Sequence, residues 1–189
     1  MATEFIYSNT SSVINYSATM VWNMIRDAMQ VPNWHPFMWH RADYDSTDPN
    51  SIAVDHVINW PGTTPALSPA GEYYMGIYKF YEISDIPGNM YMRYNVIITV
   101  SNSSQVGDWD NFVDFTVIPV TENSCTVKID RYVDFSPMPP EINRQYQIER
   151  TSWLTDECLL GIEGVVWDAT IEQLKNPNKA PVPPIPTSP

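Results

Sequence analysis

Between residues 51 and 135 apolar and polar side chains alternate in two-residue steps, and beyond residue 145 the apolar positions recur every three or four. The first period is that of half-buried strands and the second that of an amphipathic helix. The alternation predicts strands over 51–60, 72–84, 90–100, 109–121 and 124–135, with an opening strand over 3–14 and a short edge strand in HRADYDS. DIPGN, 85–89, and ENS, 122–124, are the tight turns, and Pro119 implies a bulge or an edge position. The loop 61–71, PGTTPALSPAG, holds three prolines and two glycines and reads as irregular. Asn15 or Ser17 caps a short helix reaching about Met29, with Val21, Trp22, Ile25 and Met29 on its apolar face. Pro32 stops it or starts the next element, and VPNWHPFMW, 31–39, is a single helical turn or tight loop. Residues 145–174 form one long helix whose stripe is Leu154, Cys158, Leu159, Ile162, Val165, Val166, Ala169 and Leu174.

Helices do not alternate with the central strands, so parallel crossover units are excluded and the sheet is antiparallel. A lone long helix must bury its stripe against that sheet. The expected class is α+β: a curved antiparallel sheet wrapped around a long C-terminal helix, with two short helices after the first strand and space for a ligand between sheet and helix. Residues 1–175 are expected to form one domain. The tail 176–189, NPNKAPVPPIPTSP, is too Pro-rich for a helix and reads as a strap or a hanging tail.

Composition sharpens this picture. Seven Trp, eleven Tyr, nine Met and six Phe either fill a core or line a cavity for a flat or elongated apolar ligand. The net charge of −12 and the lack of any basic run exclude nucleic acid as a partner. No window is apolar enough for membrane insertion, and MATEFIYSNTSS has no leader pattern, so a cytoplasmic location is expected. Cys125 and Cys158 match no metal or redox spacing and read as buried thiols. No phosphate loop or dinucleotide fingerprint is present, and no cofactor is expected.

The run SSVINYSATMVWNMIRDAMQVPNWHPFMWHRADY places a first strand, a "VW" helix and a Pro and Trp segment before the second strand. This opening, the strand order and the terminal helix together resemble the helix-grip superfamily of START-like, Bet v 1-like and polyketide cyclase proteins (SRPBCC), over about residues 5–175. The loop 61–71 and the tail after 176 depart from it. The resemblance implies binding of lipids, sterols, hormones or polyketides, or catalysis of cyclisation, dehydration and related steps. It also implies that NWHPFMWH, with Trp34, His35, Phe37, Met38, Trp39 and His40, borders one end of a cavity. An oxygenase branch would need iron ligands, and His35, His40 and His56 form no convincing triad, so no metal site is expected.

Candidate site residues follow from strand faces. His56 shares a face with Val54, Ile58 and Trp60 and could move a proton or hold a hydroxyl. Arg131 is the lone cation on a face of Val127, Ile129, Val133 and Phe135, where it could polarise a ketone or hold an enolate. Tyr94 lies with Met90, Met92, Val96 and Ile98 and is a hydroxyl donor. Asn111 lies with Trp109, Val113, Phe115 and Val117 and could orient a carbonyl. On 72–84 both faces are apolar, which leaves the inward face open and makes a homodimer interface one reading. Glu163 is one residue from the helix stripe and could reach inward. The expected catalytic set is His56, Arg131 and Tyr94, with Asn111, Trp39, Trp60, Met92, Phe115 and Glu163 as ligand contacts. The leading expectation is a cyclase or isomerase acting on an apolar oxygenated substrate of polyketide or terpenoid type. The alternatives are a carrier or sensor for a hydrophobic metabolite, and a scaffold with a filled core.

Overall fold

The computed structural model describes residues 3–28, 30–35, 43–44, 52–63, 73–100, 111–135 and 144–164. In chain order these form β1 (Glu4–Thr10), α1 (Ala18–Arg26), α2 (Val31–Trp34), β2 (Asp43–Tyr44), β3 (Val57–Thr63), β4 (Tyr73–Ile86), β5 (Asn89–Val100), β6 (Asn111–Thr121), β7 (Ser124–Val133) and α3 (Arg144–Glu163). Ser17 caps α1, its hydroxyl accepting from the Met20 N–H. The helix buries Ala18, Val21, Trp22, Met24 and Ile25. Pro32 sits in the first turn of α2, where its missing N–H costs nothing.

The strands pair in the order β1-β7-β6-β5-β4-β3-β2, and every pairing is antiparallel. One face of the sheet is the core. It carries Cys125, Val127, Ile129, Arg131 and Val133 from β7, Val113, Phe115 and Val117 from β6, and Met90, Met92, Tyr94 and Val96 from β5, all buried. On β4, Tyr78 and Phe80 are buried while Lys79 and Tyr81 are exposed. A register shift between Phe80 and Glu82 makes Tyr81 an extra residue and moves the inward phase, so Ile83 packs on the core below it. A second shift falls between Pro119 and Thr121, where Pro119 is exposed. Gly88, at φ +84, closes the β4–β5 hairpin after Pro87 in a backbone region that L side chains rarely enter.

The sheet is open, ending at β1 on one side and β2 on the other. This corrects the expectation of a curved sheet wrapped around the terminal helix. Helix α3 instead lies mainly against β1, β7 and α2. The cause is the distribution of its apolar groups. Among the described side chains of 144–163, Cys158, Leu159 and Ile162 are buried in the core and Leu154 packs against it, all in the second half of the helix. Polar ties hold the other side: the Tyr7 hydroxyl and Asn9 Nδ2 both donate to Asp156 Oδ1, at 2.9 and 2.7 Å.

A second correction concerns 51–60. Residues 54–55 form a turn, with Asp55 at φ 65, and the strand begins only at Val57 and continues through Pro61 and Gly62. The expected long helix is described as far as Glu163, and Val165, Val166, Ala169 and Leu174 lie outside the described residues, as does the tail.

Helices α2 and α3 approach each other closely at Gly161. A Cβ there would lie 2.1 Å from the Trp34 carbonyl oxygen and 2.8 Å from its carbon. Backbone cannot give way as a flexible side chain can. Gly161→Ala is therefore expected to destabilise the protein by about 1–3 kcal/mol, despite alanine's better helix propensity. Leu160→Ala, at a position 58% exposed, should change stability by less than about 0.5 kcal/mol. Urea unfolding of the two variants checks the contrast, and equal midpoints would contradict it.

Candidate functional site

Helices α1 and α2 and the Ile52 segment cover the middle of the inner sheet face. Under them Ile25, Val31, Trp34, His35, Ile52, Tyr78, Phe80, Met92 and Tyr94 line a small cavity. It measures about 10 Å³, the room of one water. Its walls are an aromatic cluster centred on Tyr94. The Tyr94 ring lies 5.4 Å from Tyr78, 5.4 Å from Phe80 and 5.9 Å from Phe115, the last pair stacked. Trp34 closes the cluster, 5.6 Å from Phe115 and 5.9 Å from His35. These spacings are those of favourable ring contacts. Met92 supplies an unbranched, adaptable wall.

Behind this wall is a buried polar group set. Arg131 is 5% exposed, and its Nε donates to Thr155 Oγ1 at 3.0 Å. The hydroxyl of Thr155, fully buried, donates in turn to the Thr151 carbonyl at 2.9 Å. Burial first, and the Arg131 charge second, hold the His35 pKa at about 3 in place of 6.5. His35 is thus a neutral imidazole at pH 7, and its low basicity makes it a weak general base there. Burial likewise pushes the Cys158 thiol up to about 12, against the opposing pull of Arg131. Cys158 is protonated and unreactive.

The predicted residues separate. Tyr94 and Met92 line the cavity, and Phe115 stands behind Tyr94 and Trp34. Arg131 lies on the inner face but outside the lining. His56 is half-buried beside the turn, where its Nδ1 accepts from the Ala53 N–H at 3.2 Å and its backbone meets Phe80. It does not line the cavity. Glu163 accepts from the Ser12 N–H at 2.6 Å, tying α3 to the chain after β1. Asn111 opens β6 opposite Val96 and Val133, and Trp60 pairs with Gly76 in β3. Their side chains, and all of Trp39, lie outside the described residues. Trp34 and His35, outside the named contact set but within the segment that the resemblance put at the cavity border, are wall residues. The sequence signal for them was the Pro and Trp segment NWHPFMWH after the first helix. Among the described residues no group of three His, Cys, Asp or Glu side chains gathers as a metal would require. No described helix is long and apolar enough to cross a membrane.

No protein-family model and no curated protein sequence matches the chain. Solved structures do. A START superfamily protein from Mycobacterium smegmatis superposes with a TM-score of 0.61 at 12% identity, covering 90% of this chain and 99% of that one. Ara h 8.0201 gives 0.61 at 8% identity, over 88% and 99%. The chain shares the fold of these START superfamily and Ara h 8.0201 structures. The di-domain ARO/CYC BexL from the BE-7585A biosynthetic pathway gives 0.58 at 11% identity, over 94% of this chain and 48% of its own. At such identities the likeness is one of fold, and a START-like fold by itself selects no ligand or reaction.

The buried imidazole has a pH signature. Unfolded, His35 titrates near 6.5, whereas in the native protein it stays neutral to about 3. Between these values the unfolded chain binds a proton that the native state does not. The stability present above pH 6.5 is therefore lost as pH falls toward 3, by at most about 1.4 kcal/mol per pH unit. Urea midpoints measured at pH 6 and pH 5 should fall more steeply for the unaltered protein than for His35→Gln. Equal slopes would show that His35 is protonated in the native state.

Proposed function

We propose that this chain binds a small apolar molecule at the aromatic cluster between α2 and the inner face of β4–β6. The observation that carries this reading is the cavity wall itself: Trp34, Tyr78, Phe80 and Tyr94 around an apolar space, with Met92 able to repack. The START-like fold supports it, since the Mycobacterium smegmatis protein shares that fold. The present space suits one small group, so a larger ligand enters by displacing side chains, Met92 first among them. Binding, with a carrier or sensor role, fits the site better than turnover. The neutral His35 is too weak a base for proton transfer near pH 7, and neither His56 nor Arg131 lines the cavity.

Cyclisation or isomerisation of an oxygenated substrate of polyketide or terpenoid type is the second reading. Its support is the placement of Tyr94 on the cavity and the fold shared with BexL. In that reading Tyr94→Phe leaves binding intact and removes turnover.

Native mass spectrometry of gently purified protein, followed by denaturing extraction, should reveal a co-purified apolar compound. Titration with that compound should quench tryptophan fluorescence. Tyr94→Leu should weaken its affinity roughly two- to tenfold, the worth of the lost ring contacts. An apo mass unchanged across a library of hydrophobic metabolites would overturn the binding reading in favour of a filled core.

A further inference from the structure

Trp34 holds a buried hydrogen-bond donor that the protein leaves unused. The residue is 5% exposed, its Nε1 is sealed from solvent, and no protein acceptor reaches it. The contrast with Trp22 is direct, since the Trp22 indole Nε1 donates to Asp85 Oδ1 at 2.7 Å. Buried indole N–H groups are normally paired, because an unmet donor in an apolar interior forfeits the bond it had with water. Trp34 is also a wall of the cavity. An acceptor that reached the indole N–H from that space would recover a bond that folding gave up.

The surrounding charges select what kind of acceptor. No Asp or Glu side chain is among the lining residues. The positive charge nearby is Arg131, which acts on His35 in the same wall and makes no ion pair among the described residues. The Arg131 charge disfavours a cation in this space and favours the negative end of a carbonyl dipole. The remaining wall is aromatic or aliphatic and suits an uncharged body.

We propose that the cavity selects an apolar molecule bearing a neutral carbonyl oxygen, which accepts from Trp34 Nε1 while its apolar body lies against Tyr78, Phe80 and Tyr94. This rests on the binding reading above and names its ligand class: ketones, aldehydes or esters, in preference to hydrocarbons of the same shape.

Two probes of near-identical shape test it: acetophenone, with a C=O, and α-methylstyrene, with a C=CH2 in its place. Each is titrated into the protein carrying 15N-labelled tryptophan indoles. Acetophenone should move the Trp34 Nε1–H resonance downfield, and α-methylstyrene should not. In Trp34→Phe the ratio of acetophenone to α-methylstyrene affinity should fall about tenfold, the usual worth of one such bond. Using the ratio cancels the different hydration of the two probes. If Trp34→Phe does not fold, the indole resonance of the unaltered protein decides alone. Binding of both probes with an unmoved indole signal and an unchanged ratio would overturn carbonyl selection and leave apolar binding standing. Failure of both probes to bind would overturn the two together.

Discussion

The crossing of α3 over α2 depends on the absence of one side chain. At Gly161 the helix lies so close to the Trp34 carbonyl that a methyl group would sit at 2.1 Å. The position of α2 on the sheet follows from that contact. Trp34 then meets Phe115, and Phe115 stacks on Tyr94, which in turn meets Tyr78 and Phe80. The cavity is the gap left in this chain of rings. A glycine in a helix interior gives up about 1 kcal/mol of helix propensity relative to alanine. Here that loss places a tryptophan over the sheet. The site is thus coupled to the terminal helix through backbone rather than through a ligand-contacting side chain.

The two faces of the sheet treat charge differently. On the outer face Arg93 grips Asp114 with two bonds, at 2.7 and 2.6 Å, and stacks over Tyr132. Such a bidentate pair meets most of the hydrogen-bonding demand of both groups. On the inner face Arg131 is buried without an ion pair among the described residues and is bonded at Nε to a threonine hydroxyl. A guanidinium so placed keeps its field, and that field depresses His35. The outer charges are mutually satisfied and contribute to the packing of the sheet surface. The inner charge acts on His35 in the cavity wall.

Much of the inner face was legible because strand side chains alternate with a period of two. Arg131 sits among Val127, Ile129 and Val133, and Tyr94 among Met90, Met92 and Val96, so one buried member places the rest. The same rule misplaced His56. A turn at 54–55, with Asp55 in the left-handed region, intervenes before the strand, and the imidazole binds the Ala53 N–H. Alternation also could not resolve 72–84, where Tyr73, Met75 and Ile77 on one face and Tyr74, Tyr78 and Phe80 on the other are alike apolar. Glu163 stands one step off the helix stripe, and nothing local shows that the Ser12 N–H lies within its reach. Trp34 and His35 sit on a single turn of helix, too short for any periodicity to reveal which way they point.

By itself the sequence determined the element order, the antiparallel pairing, the apolar face of each regular strand and the acidic balance that argues against nucleic acid. All of these are set by local pattern or by summed composition, and both survive without knowledge of the partner surface. Only the tertiary structure decided that the sheet is open and that α3 leans on β1, β7 and α2. It alone decided which wide-ranging residues meet at the cavity and that the Trp34 indole N–H is left without an acceptor. Those outcomes depend on distances between segments far apart in the chain. A close approach such as that of Gly161 to Trp34 is a property of two segments together, and neither one carries a record of it.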